Sequence, residues 1–144
     1  MSGGGKKNVY RGADRFTKQA KDQGFAARSV HKLDEIQRRF RVLGQSERVV
    51  DLGCFPGSWS HYAHQKIGGR GAIVGVDIEE PAPYPGTVIV RSVHEVDADE
   101  IRQALGGPAD VVLSDMAPRT TGNVLGDHAR QIELAQRAAD LAVQ

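Results

Sequence analysis

The sequence predicts an α/β fold, a parallel sheet covered by helices on both faces, and three observations predict it. Four short apolar runs alternate with helical stretches: Val49-Val50-Asp51-Leu52, Ile73-Val74-Gly75-Val76-Asp77, Thr87 to Val90, and Val111-Val112-Leu113-Ser114-Asp115. Near-continuous apolar strands of this kind belong to sheets buried on both sides. The first strand runs into a loop carrying Gly53 and Gly57, and a helix follows from Ser58 to Ile67. The second strand ends in an acid, Asp77, 26 residues after Asp51, which is about the length of one βαβ unit. The expected strand order is 3-2-1-4, with a ligand site where the order reverses between strands 1 and 4.

Taken in order, residues 1–12 read as a flexible basic arm and residues 13–144 as one domain. Its basic helices occupy 13–41 and its α/β part 47–144. Ala13 to Gln23 reads as a short helix stopped by Gly24. Residues 27–40 read as an amphipathic helix. Val30, Leu33, Ile36, Gln37 and Phe40 share its apolar stripe, and Arg28, Lys32, Glu35 and Arg39 lie off it. The helix at 58–67 is closed by Gly68-Gly69, and a weaker one at 97–105 precedes Gly106-Gly107-Pro108. A last helix runs from His128 to Gln144 with Ile132, Ala135, Ala139 and Ala142 on one face.

Composition narrows the partner. At 144 residues, 40% hydrophobic and 26% charged, the chain suits one globular domain with a real core. No apolar run approaches the ~20 residues of a membrane span, and the first residues lack the apolar core of a secretory signal. Cys54 is the only cysteine, which excludes an internal disulfide and fits a reducing cytoplasm. The net charge of +1 is unevenly spread. Residues 1–41 hold eleven Lys and Arg against four Asp and Glu, a net +7, and the remainder carries −6. A basic segment on an acidic body points to a polyanion such as nucleic acid, although a solvated helical face would carry the same charges.

The loop Asp51-Leu52-Gly53-Cys54-Phe55-Pro56-Gly57-Ser58-Trp59 is the strongest candidate site. Glycines let the backbone turn tightly and approach a ligand with no Cβ between. The spacing is not the Gly-x-Gly-x-x-Gly of dinucleotide sites, which argues with Pro56 against an oxidoreductase. It suits S-adenosylmethionine, which has no pyrophosphate to cradle. Asp77 can accept hydrogen bonds from both ribose hydroxyls of an adenosine cofactor, or it can cap the helix that follows. Asp115 ends the fourth strand beside the same pocket, in Asp-x-x-Pro118. His61 and His64 have the spacing of a metal pair but no evident third ligand, so no metal is expected. Cys54 reads as a packed residue without a base to activate it.

Arg28-Ser29-Val30-His31-Lys32-Leu33-Asp34-Glu35-Ile36, the Asp51 to Trp59 loop and Ser114-Asp115-Met116-Ala117-Pro118 together resemble the FtsJ-like (RrmJ-type) ribosomal RNA large-subunit 2′-O-ribose methyltransferases. The resemblance spans roughly residues 14 to 144. It implies a Rossmann-like S-adenosylmethionine-dependent methyltransferase fold. It implies methyl transfer to a ribose 2′-hydroxyl of RNA, with a uridine of 23S-type ribosomal RNA in the large subunit as the expected target and transfer RNA or cap RNA as alternatives. By motif, Lys32 matches the first lysine of the family's Lys-Asp-Lys-Glu tetrad and Asp115 its aspartate. Asp51, Gly53, Pro56, Gly57, Trp59, Asp77, Ser92, Val93 and Asp115 are the expected cofactor contacts. Lys18, Lys21, Arg28, Lys32, Arg38 and Arg39 are the expected RNA contacts.

Two departures qualify the resemblance. Many relatives carry an acid near the end of strand three to reach the adenine, and this chain has Ser92. No lysine follows Lys66, and the last glutamate is Glu133, so the tetrad's second lysine and its glutamate have no counterpart. Four strands are present where the family fold has seven, so the expectation is a fold incomplete at its C-terminus. The competing reading for this polypeptide is a non-catalytic RNA- or nucleotide-binding module.

Overall fold

A computed structural model gives the backbone of residues 9–116 and 121–144 and, within these, the side chains of 24, 26–116 and 121–144. The elements follow the order α1 (Val9–Phe40), β1 (Arg48–Leu52), α2 (Ser58–Ile67), β2 (Ala72–Asp77), β3 (Thr87–Val90), α3 (Ala98–Leu105), β4 (Val111–Ser114) and α4 (Val124–Ala142). The four strands form one sheet in the order β3-β2-β1-β4. All pairs are parallel: Val50 stands opposite Val74 and Val112, and Val76 opposite Ile89. This is the strand order that the apolar runs predict.

The period-2 alternation of the strands divides the core in two. Val50, Leu52, Val74 and Val76 face α3 and α4, where Val96, Ile101, Leu105, Ala138 and Leu141 cover them. Val49, Ile73 and Leu113 face the other way, onto Leu33 of α1, Trp59, Ala63 and Ile67 of α2, and Leu43. Asp51 shares the α1–α2 face by its register, which puts a carboxyl group into an apolar layer.

The expected break at Gly24 is corrected, as are the last four residues of the expected arm, whose residues 1–8 lie outside the described residues. The helix already includes residues 9–12 and continues unbroken through Gly24 to Phe40. A glycine ends a helix when its backbone turns left-handed. Inside a helix it costs only about 1 kcal/mol relative to alanine, too little to break a long helix that continues on both sides. The apolar stripe of α1 is also narrower than expected. Leu33 is fully buried, but Ile36 and Phe40 are exposed. Gln37 holds the chain after the helix by donating to Leu43 O at 2.9 Å and accepting from Leu43 N at 2.8 Å.

The last helix starts four residues earlier than its apolar pattern suggests, because Asn123 caps it by accepting from Gly126 N at 3.2 Å. Its buried side is Leu134, Ala138 and Leu141 rather than Ile132, Ala135, Ala139 and Ala142. Alanines lie on both faces of this helix, so the two leucines decide which face meets the sheet. Helix α3 begins within one residue of expectation, capped by Asp97. Among the described residues no helix is long and apolar enough to cross a membrane.

Candidate active site

At the carboxyl ends of the strands, β2 and β3 lie to one side of β1 and β4 to the other, and a cavity of about 360 Å³ opens there. Gly53 and Phe55 from the loop after β1, Asp77 at the end of β2, Ser92 and Val93 after β3, and Asp115 and Met116 after β4 line it. Gly53 has φ 75°, a conformation that favours glycine, and any Cβ there would collide with the Met116 side chain. The cavity floor therefore depends on the missing side chain.

Asp77 fastens the loop it faces. Its Oδ2 accepts the Phe55 N–H at 2.9 Å, and its Oδ1 accepts the Glu79 N–H at 3.0 Å. The first bond ties the glycine loop to the end of β2, and the second shapes the turn after the strand. Each carboxylate oxygen can accept more than one bond, so both stay competent toward a ligand in the cavity.

Asp115 is gripped from α1. Lys32 Nζ lies 3.4 Å from Oδ1, and Ser29 Oγ donates to Oδ2 at 2.8 Å. The Lys32 side chain is 67% exposed and open to solvent. Ser29, only 7% exposed, also accepts the Trp59 indole N–H on its carbonyl at 2.7 Å. A smaller polar recess joins these groups, lined by Ser29, Asp51, Pro56, Trp59 and Asp115 among others. Trp59 thus both packs in the core and borders the site.

Beneath the loop runs a buried polar chain. Ser60 Oγ donates to Asp51 Oδ2 at 2.6 Å and lies 2.7 Å from the Tyr84 hydroxyl. Burial pushes the Asp51 carboxyl up to about 7, against the Ser60 bond that lowers it, with Asp77 and Asp115 raising it further. Burial pushes the Cys54 thiol up to about 12, the opposite of what a nucleophile needs. Burial also raises the Tyr84 phenol. Gly75 makes room for this cluster, since a Cβ there would strike the Tyr84 hydroxyl.

Other sequence-predicted positions fall out unevenly. Gly57 lines neither cavity; with φ 107° it turns the chain into α2. The Ser92 hydroxyl accepts His94 N at 3.3 Å in a local turn, and Val93 O accepts Arg137 Nε from α4 at 3.0 Å. Arg28 and Arg39 are exposed on α1, and Arg38 pairs with Asp34 at 2.9 Å. The side chains of Lys18 and Lys21, and residues Ala117 and Pro118, lie outside the described residues. His61 Nε2 lies 3.0 Å from Pro83 O. Among the described residues no group of three or more His, Cys, Asp or Glu could hold a metal. Sequence reasoning missed Ser29, Ser60, Tyr84 and Arg137. Ser29 alone carried a signal, its place three residues before Lys32 on the same helix.

Known proteins are similar to this chain. The model of the FtsJ-like methyltransferase family matches residues 25–144. The ribosomal RNA large subunit methyltransferase E of Sorangium cellulosum is 47% identical over 139 residues, covering 94% of this chain and 65% of its own length. Its counterpart from Desulfosudis oleivorans is 44% identical over 133 residues, covering 90% of this chain and 64% of its own length. The chain therefore spans just under two thirds of the length of these curated relatives. A crystal structure described as a ribosomal RNA methyltransferase from Plasmodium falciparum superposes with a TM-score of 0.63 at 27% identity, over 78% of this chain and 67% of its own. With most of its residues matched by the family model and its closing strand motif beside the glycine loop, the chain belongs to the FtsJ-like methyltransferase family.

Proposed function

We propose that this protein transfers a methyl group from S-adenosylmethionine to a ribose 2′-hydroxyl of RNA, a uridine of large-subunit ribosomal RNA, in the cytoplasm. The observation that carries the reading is the approach of Lys32 to Asp115, 83 positions apart, at the edge of the glycine-loop cavity. The names of the relatives support the RNA substrate, and the net +7 of residues 1–41 suits a polyanion.

The residues present fit the cofactor. Gly53 lets the loop backbone pack against Met116 at the cavity with no Cβ between, and Asp77 offers both oxygens to ribose hydroxyls. In this reading Asp51, Pro56 and Trp59, which line the smaller recess, and Ser92 and Val93, which line the larger cavity, would hold the rest of the cofactor. When bound, the cofactor supplies an activated methyl on a sulfonium. The protein's part is alignment and proton removal. Lys32 would donate to the 2′-oxygen, and the Asp115 carboxylate would take the proton that the 2′-hydroxyl gives up. Exposed Arg28, Arg38 and Arg39, with Lys18 and Lys21 on the same helix, hold the phosphates.

The test is tritiated methyl transfer from S-adenosylmethionine by the full natural polypeptide. Large ribosomal subunits, transfer RNA and capped RNA serve as parallel acceptors, followed by mapping of the modified ribose. Label at a 2′-oxygen of large-subunit RNA is the expected result. Label only in another RNA would replace the substrate, and RNA binding without label would leave a non-catalytic binding module.

A further inference from the structure

We propose that Ser29 is a positioning residue for methyl transfer: its hydroxyl fixes the rotation of the Asp115 carboxylate so that the second oxygen faces Lys32. The inference rests on the activity proposed above and extends it to a residue outside the tetrad. Ser29 and Lys32 are three positions apart on α1, which places them on one face of the helix. Both reach the same carboxylate, one oxygen each: Ser29 Oγ on Oδ2 at 2.8 Å, Lys32 Nζ on Oδ1 at 3.4 Å. The two contacts are unequal. Lys32 is long, mostly exposed and weakly held, and cannot orient a carboxylate by itself. Ser29 is short, buried and close, so its bond sets the plane of the carboxyl group.

A second contact fixes Ser29 in turn. Its carbonyl accepts the Trp59 indole N–H at 2.7 Å, and Trp59 stands at the start of the helix that leaves the glycine loop. Three parts of the site therefore meet at one residue: the helix that bears Lys32, the loop that forms the cavity, and the end of β4. The Asp115 side chain is 28% exposed, so removing the hydroxyl leaves water able to replace it. The fold survives this loss, and the orientation of the carboxylate does not.

The experiment uses the full natural polypeptide, single-turnover methyl transfer to large-subunit RNA, and calorimetric titration with S-adenosylmethionine. Ser29→Ala should slow transfer about tenfold, the scale of one hydrogen bond to a charged group, with cofactor affinity changed by less than about twofold. In an Asp115→Ala background the same substitution should slow it no further, because Ser29 acts through Asp115. The emission of Trp59, the one tryptophan among residues 1–144, should not move, since its partner is the Ser29 backbone. An equal slowing in both backgrounds, or a shifted Trp59 emission, would overturn the positioning role. So would an unchanged rate in Ser29→Ala, while leaving the activity intact. Failure of the unsubstituted protein to transfer methyl at all would overturn the activity, and the positioning role with it.

Discussion

Asp77 Oδ2 accepts the backbone N–H of Phe55 at 2.9 Å, so the acid that ends β2 also ties down the loop that leaves β1. The acid proposed to bind the ribose is also the anchor of the loop. Asp77→Ala should weaken S-adenosylmethionine binding by about 1–3 kcal/mol. Asp77→Asn, which keeps one oxygen for Phe55 or Glu79, should lose less. Calorimetry on both variants checks this, and equal affinity in the alanine variant would remove Asp77 from the site.

Gly53 and Gly24 make an opposed pair. Gly53 has positive φ and would drive a methyl group into Met116. Gly53→Ala should destabilise the fold by about 1–3 kcal/mol and abolish measurable cofactor binding. Gly24 lies inside α1 with open space where its Cβ would go. Gly24→Ala should therefore stabilise the protein by roughly 0.5–1 kcal/mol. Urea unfolding of the two variants should move in opposite directions; a stabilised Gly53→Ala would contradict the geometry.

Why some of this was legible in the sequence and some was not has a physical basis. The two central strands β1 and β2 are buried on both faces and show as unbroken apolar runs, the half-buried β3 and β4 are still apolar, and the spacing of the four implies the order β3-β2-β1-β4. Gly24 misled because a glycine stops a helix only through a left-handed backbone, which the one-letter code does not reveal. The buried face of α4 misled because alanine fits either side of a helix. Lys32 alone looked like a solvated lysine. Its proximity to Asp115 came from motif resemblance, since no local pattern reports a contact across 83 positions. Tyr84 and Arg137 were silent for the same reason: their partners are Ser60 and the carbonyls of Val93 and Val96, each remote in sequence.

Asp51 links stability to pH. Its carboxyl is pushed up to about 7 in the folded chain from an ordinary value of 3.8. The folded state therefore holds this proton more tightly than the unfolded state does. That contribution is complete below about pH 4, declines as pH rises toward 7, and is gone above it. Asp51→Asn cannot ionise and still offers Ser60 an oxygen. Between pH 5 and 8 the wild type should lose on the order of 2 kcal/mol more than Asp51→Asn. Urea unfolding at both pH values measures the difference, and parallel pH slopes would show that Asp51 is not the linked group.

Lys32 and Asp115 should separate rate from binding. Lys32 is mostly exposed, and Asp115 accepts its hydrogen bonds from Ser29 and Lys32 of α1 rather than from the glycine loop. Lys32→Ala and Asp115→Ala should each lower single-turnover methyl transfer by about 100-fold or more. Cofactor affinity should change by less than about tenfold, because their interactions matter in the transition state. Near-normal turnover by both variants would dismiss the pair as the reacting centre.

The basic face of α1 should govern RNA affinity through phosphates. Arg28 and Arg39 are exposed, and the guanidinium of Arg39 lies 5.5 Å from the Phe40 ring, a loose contact that leaves its charge available. Arg38 is paired with Asp34 at 2.9 Å, but its side chain is 78% exposed, and an exposed i,i+4 pair holds by only about 0.5 kcal/mol. A phosphate can therefore take Arg38 from Asp34 at small cost. Affinity for RNA should fall steeply with salt, by a logarithmic slope of roughly 0.7–0.9 for each phosphate neutralised. Reversing Lys18, Lys21, Arg38 and Arg39 to glutamate should flatten that slope and weaken RNA binding while S-adenosylmethionine binding holds, since the cavity is lined from the strand ends rather than from this part of α1. Filter binding across a salt series, with calorimetry for the cofactor, measures both. The same RNA affinity at low and high salt would rule out phosphate contacts by this helix.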